Sequence, residues 1–256
     1  PSNFLVSVLA PNCLAIFIVS SVELLSNKIV SLTKSSTLAK QFGKSCASFL
    51  AINTRDIELL LILISYNTIM RKFKLNIKKS ALIVIDMQNF FCDPKSHAYI
   101  SGTKKISKNI NKLIEIYKKN NRPIIFTSHK NTKQNAQILG LWWKDVITSK
   151  YNAEICKEFD TKNHKIISKT QYDCFYKTKL DEILKKHKIK HLLITGVATH
   201  LCVETTTRSA FVRGYLPFVP INCTADFSPK FYKSTLLNLA DGFAVIDTWE
   251  KLLNEK

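Results

Sequence analysis

Short apolar runs alternate with longer amphipathic stretches from residue 80 to the C-terminus. The runs are rich in Ile, Val and Leu and are only four to five residues long, which is typical of strands buried on both faces of a parallel sheet. We predict six such strands, at residues 81–85, 123–127, 165–168, 191–195, 215–219 and 243–246.

Helices are predicted between these strands. In the first of them, apolar side chains recur at three- and four-residue steps, at Ile106, Ile110, Leu113, Ile114 and Tyr117. Strands that alternate with amphipathic helices indicate an α/β fold, a three-layer α/β/α sandwich with a six-stranded, mainly parallel, Rossmann-like sheet. In such doubly wound sheets, reactive groups gather beyond the carboxyl ends of the strands, where the strand order reverses.

The first 69 residues have a different pattern. Their apolar runs, at Phe4–Ala10 and residues 59–64, show no clear helical or strand period. Residues 1–22 carry no charge, but Pro11 and Asn12 interrupt the run and no basic segment precedes it, so a membrane segment or secretory signal is not expected. Met70 is the first methionine and precedes the patterned region. We therefore hypothesise that the native protein starts at Met70, with 1–69 an atypical extension and 70–256 the functional domain.

The net charge of +19 could attract nucleic acid or anionic lipid. The lysines are spread along the chain instead of forming a block, so specific nucleic-acid binding is not expected. The seven cysteines are scattered and form no C-x-x-C pair, which favours a reduced, cytoplasmic context. They are Cys13, Cys46, Cys92, Cys156, Cys174, Cys202 and Cys223.

Three residues with reactive side chains follow or close predicted strands. Asp86 ends Ala-Leu-Ile-Val-Ile-Asp, Lys169 ends Lys-Ile-Ile-Ser-Lys, and Cys202 follows Thr-Gly-Val-Ala-Thr-His-Leu at the start of a predicted helix. A cysteine attacks as thiolate and needs a neighbouring base or cation. Asp86 could take the thiol proton and later protonate a leaving amine, while Lys169 could stabilise both anions.

The segments around these residues are Ile-Asp86-Met-Gln-Asn, Lys169-Thr-Gln-Tyr-Asp-Cys-Phe and Thr-Gly-Val-Ala-Thr-His-Leu-Cys202-Val-Glu-Thr-Thr-Thr-Arg-Ser-Ala-Phe. In this order they resemble the isochorismatase-like cysteine hydrolase superfamily. The superfamily includes nicotinamidases, N-carbamoylsarcosine amidase, ureidoacrylate amidohydrolases and isochorismatases. The resemblance covers about residues 78–254, and the Cys202 segment is its most specific part.

The resemblance implies a catalytic triad of Asp86, Lys169 and Cys202 and a covalent thioester intermediate. It also implies a non-proline cis peptide bond between Val197 and Ala198, with the amides of Ala198 and Cys202 in an oxyanion hole. A small-molecule substrate and a homo-oligomer, either dimer or tetramer, are further expectations.

Two departures from the family pattern concern the chemistry. Nicotinamidases place an Asp-x-His pair after the second strand, where this chain has Ser128-His129-Lys130-Asn131. We therefore expect no metal and no cofactor, with His129 in a pocket or capping role, and the nicotinamidase assignment is disfavoured. Isochorismatases typically lack the cysteine, so Cys202 favours acyl transfer.

A third departure concerns the pocket. The acid that is common after Asp-x-Gln-Asn is replaced by Phe90, followed by Phe91, which predicts a more apolar pocket edge. Specificity is expected in the loops after the first three strands. The pocket candidates are Phe91, His129, Trp142, Trp143, Tyr172 and Phe175, with packing roles equally open for the two tryptophans. The remaining histidines are interpreted as surface or structural, and of these only His200 is near the site.

Three functions remain open on the sequence alone. The leading hypothesis is hydrolysis of a C–N bond in a small amide or ureide through a Cys202 thioester. The second is hydrolysis of a vinyl ether of the isochorismate type, with Asp86 as the acid. The third is a non-catalytic binding or redox-responsive protein on the same scaffold.

Overall fold

The computed structural model describes the backbone of residues 4–10 and 13–19, and residues 73–143 and 145–254 in full. The chain divides into two compact units, Pro1–Lys72 and Phe73–Lys256. The apolar run at 59–64 and the candidate start at Met70 lie outside the described residues.

In the first unit, strands β1 (Phe4–Ala10) and β2 (Cys13–Val19) pair in antiparallel register, from Phe4 opposite Val19 to Ala10 opposite Cys13. The sequence analysis found no strand period here. Both strands are apolar at most successive positions, so the alternation that marks a half-buried strand is absent.

The second unit contains a six-stranded sheet in which every neighbouring pair is parallel. Its strands are β3 (Ser80–Ile85), β4 (Ile124–His129), β5 (Lys165–Lys169), β6 (His191–Gly196), β7 (Leu216–Pro220) and β8 (Val245–Asp247). The order across the sheet is β5-β4-β3-β6-β7-β8, so the chain winds outward in both directions from β3 and β6. This doubly wound α/β topology confirms the predicted fold class.

Helices connect the strands. They are α1 (Asn89–Cys92), α2 (Thr103–Lys119), α3 (Ile138–Trp143), α4 (Lys150–Ala153), α5 (Leu180–Lys186), α6 (Glu204–Val212), α7 (Pro229–Gly242) and α8 (Trp249–Asn254). The predicted apolar stripe of α2, from Ile106 to Tyr117, is buried. None of the helices in the described residues is long and apolar enough to cross a membrane.

The centre of the sheet is fully buried along β3. Every residue of β3 is buried, as expected for a strand with neighbours on both edges and helices on its faces. At the carboxyl end of β6, Gly196 has φ +107°, and a Cβ there would lie 2.0 Å from the carbonyl oxygen of Ile85. Only glycine lets β3 and β6 approach this closely, and both strands end at the functional edge of the sheet.

Candidate active site

The three strand-end residues predicted to act together meet at the carboxyl edge of the sheet. Asp86 directly follows β3, Lys169 is the last residue of β5, and Cys202 lies in a π-helical turn, Thr199–Val203, that leads into α6. Lys169 Nζ lies 2.7 Å from Asp86 Oδ2 and 3.3 Å from Cys202 Sγ. All three residues are at least 97% buried.

Asp86 is held in place by the neighbouring strand. Its backbone has φ +50°, which turns the chain sharply at the end of β3. Thr127 Oγ1 donates to Asp86 Oδ1 at 2.6 Å and accepts from the Asp86 amide at 3.2 Å. These two bonds leave Oδ2 directed at Lys169, so the carboxylate is oriented before any substrate arrives.

Lys169 serves as the cation of the site. Besides Asp86 and Cys202, its ammonium donates to the carbonyl of Gln171 at 2.9 Å. Burial by itself lowers the pKa of Lys169, but charge interactions with Asp86 and Cys202 outweigh burial and raise that pKa above its usual value. Lys169 therefore stays protonated at neutral pH.

Cys202 carries its proton in the resting site. Burial raises the pKa of the Cys202 thiol well above its usual value, and the opposing effect of the Lys169 ammonium does not compensate. A carboxylate oxygen of Asp86 lies within 4.8 Å of the Cys202 sulfur, and this carboxylate raises the pKa of the thiol further. The resting site therefore holds a protonated thiol and not a thiolate. The Asp86 carboxylate beside the thiol is a base that can accept its proton.

The turn before Cys202 is anchored on the loop after β7. The Val197–Ala198 peptide bond is cis, as the family resemblance implied. The Thr199 amide donates to the carbonyl of Ala225 at 3.0 Å, and the His200 amide donates to Asp226 Oδ2 at 2.7 Å. Within the described residues the Ala198 amide has no hydrogen-bond acceptor, and both Ala198 and Cys202 line the adjacent cavity.

That cavity encloses about 390 Å³, the size of a small-molecule site. Of the predicted pocket residues, Phe91, His129, Trp143 and Tyr172 line it. Phe90 lines it too, in agreement with the expectation of a more apolar pocket edge. The Trp143 indole donates to the hydroxyl of Tyr172, which joins α3 to the segment after β5.

Two predicted pocket residues lie elsewhere. Trp142 is 74% exposed and does not line the cavity, because adjacent residues on a helix point about 100° apart and its neighbour Trp143 faces inward. Phe175 is buried in the main core, where its ring stacks on Tyr215 at 5.9 Å. Phe175 was predicted to line the pocket because it follows Tyr172 by only three residues. The chain has already turned into the core at Phe175.

Several lining residues were missed because specificity was expected only after the first three strands. Phe227 and Phe231 reach the cavity from the segment after β7 and from α7. His200, which was expected near the site but not as a pocket residue, lines the cavity as well, with Nδ1 2.7 Å from Oδ1 of the buried Asp226 side chain and its ring stacked on Phe231 at 4.5 Å. Asp226, an acid beyond the carboxyl end of the fifth predicted strand, was the sequence signal that could have indicated that this segment reaches the site.

Asp86, His129 and Cys202 could together offer ligands to a metal ion, since one potential ligand atom from each lies within 4.8 Å of the others. The ammonium of Lys169 already contacts two of the three. A divalent cation among them would lie against a buried positive charge, which is unfavourable in a low-dielectric site. These three residues therefore do not fit a metal centre.

The fold and this cluster define a doubly wound α/β protein with a cysteine, a lysine and a carboxylate gathered at the switch point of its sheet. Residues 80–251 match the Isochorismatase domain, and the chain belongs to that family. It is 35% identical to Nicotinamidase 3 of Arabidopsis thaliana over 188 residues, which cover 71% of this chain and 91% of the relative.

A ureidoacrylate amidohydrolase of Caulobacter segnis is 27% identical, over 67% of this chain and 83% of that protein. Among solved structures, a cysteine hydrolase from Pseudomonas syringae superimposes with a TM-score of 0.67 at 21% identity, covering 71% of this chain and 93% of that one. This structural likeness supports the fold.

Proposed function

We propose that the protein hydrolyses the C–N bond of a small amide through a thioester on Cys202. The observation that carries the proposal is the contact of Lys169 Nζ with both Asp86 and Cys202 beside an apolar cavity. Such a group of buried ionisable residues in a cleft is typical of nucleophilic catalysis.

In the first half of the reaction, Cys202 Sγ attacks the amide carbonyl while its proton moves to Asp86. The carbonyl oxygen becomes an oxyanion, which accepts hydrogen bonds from the amides of Ala198 and Cys202. As the C–N bond breaks, Asp86 returns the proton to the leaving nitrogen, which departs as ammonia or an amine. The acyl group remains on Cys202 as a thioester.

In the second half, Asp86 removes a proton from a water molecule that attacks the thioester carbonyl. The C–S bond breaks, the proton passes from Asp86 to Cys202, and the carboxylic acid leaves. Lys169 remains protonated throughout and offsets the negative charge that alternates between the carboxylate and the sulfur.

The substrate class we propose is a flat aromatic carboxamide. The cavity walls carry the rings of Phe90, Phe91, Trp143, Phe227 and Phe231, which favour stacking on a planar group. No Lys or Arg occurs among the described lining residues, so these residues supply no cation for the carboxylate of an acidic ureide. The similarity to a protein named as a nicotinamidase supports the same class.

An aromatic carboxamide substrate makes a nicotinamidase-like activity a candidate again, although the absence of the Asp-x-His pair had disfavoured it. The first compounds to test are nicotinamide and benzamide, beside a ureide and isochorismate. We expect ammonia release from the aromatic amides, abolished in Cys202→Ala and retained in Cys223→Ala, a buried cysteine outside the cavity lining. Amide turnover that survives in Cys202→Ala would exclude the thioester route, and turnover of isochorismate alone would favour Asp86 acting as an acid.

Alkylation offers a second test of the nucleophile. Cys202 opens to the cavity and has a base beside it, whereas burial raises the pKa of the Cys223 thiol without any such base. We expect a small alkylating reagent to modify Cys202 faster than Cys223 near neutral pH, with Cys202→Ala as the control that removes the faster site. Equal rates in the native protein would contradict an activated thiol.

A further inference from the structure

His129 stands beside the three catalytic candidates. It is the last residue of β4 and pairs with Lys169 across the sheet. Its backbone is fixed from both sides by Gln88, whose Oε1 accepts from the His129 amide at 2.8 Å and whose Nε2 donates to the His129 carbonyl at 2.9 Å. A ring nitrogen of His129 lies within 4.8 Å of ligand atoms of Asp86 and Cys202.

The ring of His129 is buried, with 6% of the residue exposed, and its Nε2 has no hydrogen-bond partner among the described residues. The side chain of Asn131 and the carbonyl of Thr170 interact with the ring, and because Nε2 has no partner we assign both interactions to Nδ1. A carbonyl can only accept, so we assign the proton to Nδ1 and the free lone pair to Nε2.

His129 is neutral at physiological pH. Burial, assisted by the positive charge of Lys169, lowers the pKa of His129 to about 4. His129 lines a cavity whose other described walls are largely aromatic and aliphatic, and its Nε2 is a buried acceptor at the edge of that cavity. Leaving a buried acceptor unpaired is unfavourable, so a ligand that donates a hydrogen bond to it gains affinity.

We propose that His129 Nε2 accepts a hydrogen bond from the N–H of the substrate carboxamide and thereby selects amides over esters. This inference rests on the proposed function. With the carbonyl carbon at Cys202 Sγ and the oxyanion at the Ala198 amide, the leaving nitrogen lies on the side of Asp86, from which it takes its proton. His129 is a neighbour of both Asp86 and Cys202, so its Nε2 can accept a hydrogen bond from an N–H of the leaving nitrogen while Cys202 attacks and Asp86 transfers its proton.

The role follows from the chemistry of the acceptor. An amide nitrogen offers N–H donors, whereas the alkoxy oxygen of an ester has none and would leave Nε2 unpaired. The hydrogen bond also turns the lone pair that develops on the leaving nitrogen toward Asp86, because the N–H bonds are then directed elsewhere. His129 acts as a positioning and specificity residue and transfers no proton itself.

The experiment compares the carboxamide and the methyl ester of one aromatic acid as substrates of the full chain. The variants are His129→Phe, which removes the acceptor, and His129→Gln, which restores a carbonyl acceptor near the same place. The matched control is His164→Phe, because His164 also has an Nε2 without a partner in the described residues but does not line the cavity.

We expect His129→Phe to lower the amide-to-ester ratio of kcat/KM by about tenfold to a hundredfold, the equivalent of one hydrogen bond. His129→Gln should recover part of that ratio, and His164→Phe should leave it unchanged. Equal losses on both substrates, or no loss on either, would overturn the proposal, since a structural role does not distinguish an amide from an ester.

Two further results separate this proposal from the one on which it rests. Amide turnover that does not depend on Cys202, or no turnover of either substrate, would remove the proposed function and the role of His129 with it. Turnover that a chelator abolishes and added Zn²⁺ restores, in native protein but not in His129→Gln, would make His129 a metal ligand and would overturn the role of acceptor alone.

Discussion

The ion pair between Lys169 and Asp86 makes a quantitative prediction about stability. Both side chains are completely inaccessible to solvent, and their charged atoms are 2.7 Å apart. Removing one member of a buried pair leaves the other charged and unpaired, which costs about 3–5 kcal/mol. Lys169→Met and Asp86→Asn should each destabilise the protein by that order.

The two losses are expected to differ. In Asp86→Asn, the ammonium of Lys169 keeps the carbonyl of Gln171 at 2.9 Å and the sulfur of Cys202 at 3.3 Å, so its destabilisation should lie at the lower end, about 3 kcal/mol. In Lys169→Met, the carboxylate keeps only neutral donors such as Thr127 Oγ1. The destabilisation of that variant should lie nearer about 5 kcal/mol at neutral pH.

The double variant is the decisive measurement. It leaves no buried charge at the site, so its loss should be smaller than the sum of the single losses by about 3 kcal/mol. Urea unfolding of the full chain can be followed by tryptophan fluorescence, because all three tryptophans (Trp142, Trp143 and Trp249) belong to the Phe73–Lys256 unit. The unfolding free energies then form a double-mutant cycle.

The matched control is the exposed pair Lys185–Asp181, whose side chains are 70% and 28% exposed at a similar separation of 2.6 Å. Lys185→Met should change stability by less than about 1 kcal/mol, because water screens that pair. Additive losses at Lys169 and Asp86, with no coupling, would refute the reasoning that burial makes each charge depend on the other.

Three further predictions concern single positions. Thr127→Val removes the 2.6 Å bond to Asp86 and should lower kcat about tenfold, measured as ammonia release, and an unchanged kcat would show that the carboxylate needs no such support. His129 is protonated near pH 6.5 in the unfolded chain but only near pH 4 in the folded chain, so the free energy of unfolding should fall by roughly 3 kcal/mol as the pH is lowered through that range. This loss should be absent in His129→Gln, and the same pH dependence of unfolding in both proteins would refute the prediction. Gly196→Ala should destabilise the protein by at least about 2 kcal/mol, whereas Gly242→Ala should not, because a Cβ at Gly242 meets nothing within 4 Å. Equal thermal midpoints for the two variants would contradict the close approach of β3 and β6.

The sheet could be predicted from the sequence because buried parallel strands leave a strong local signal. The strand predicted at 81–85 is observed as Ser80–Ile85, and the one predicted at 165–168 as Lys165–Lys169. The boundaries of a strand are less well predicted than its existence. The last strand was predicted at 243–246 but runs over Val245–Asp247, because Phe243 still caps α7. Strand ends are set by how the neighbouring helix terminates, which the apolar run does not record.

The meeting of Asp86, Lys169 and Cys202 was predictable for a related reason. Parallel strands all end at one edge, so residues at their carboxyl ends come together whatever their separation in the chain. The pocket walls follow no such rule. Phe231 enters from α7 and Phe175 turns away into the core, and both outcomes depend on helix packing between segments distant in sequence.

The charge balance of the site is consistent with the proposed mechanism, in which a thiol with a raised pKa acts as the nucleophile. At rest the cluster holds the Asp86 carboxylate, the Lys169 ammonium and the neutral Cys202 thiol, so its net charge is zero. Transfer of the thiol proton to Asp86 gives a neutral acid, the same ammonium and a thiolate, and the net charge remains zero. Loss of that proton to solvent would instead add an uncompensated charge to a buried site, which is far more costly. Burial therefore suppresses a free thiolate but not proton transfer within the cluster, which supports the proposed role of Asp86 as the base for Cys202.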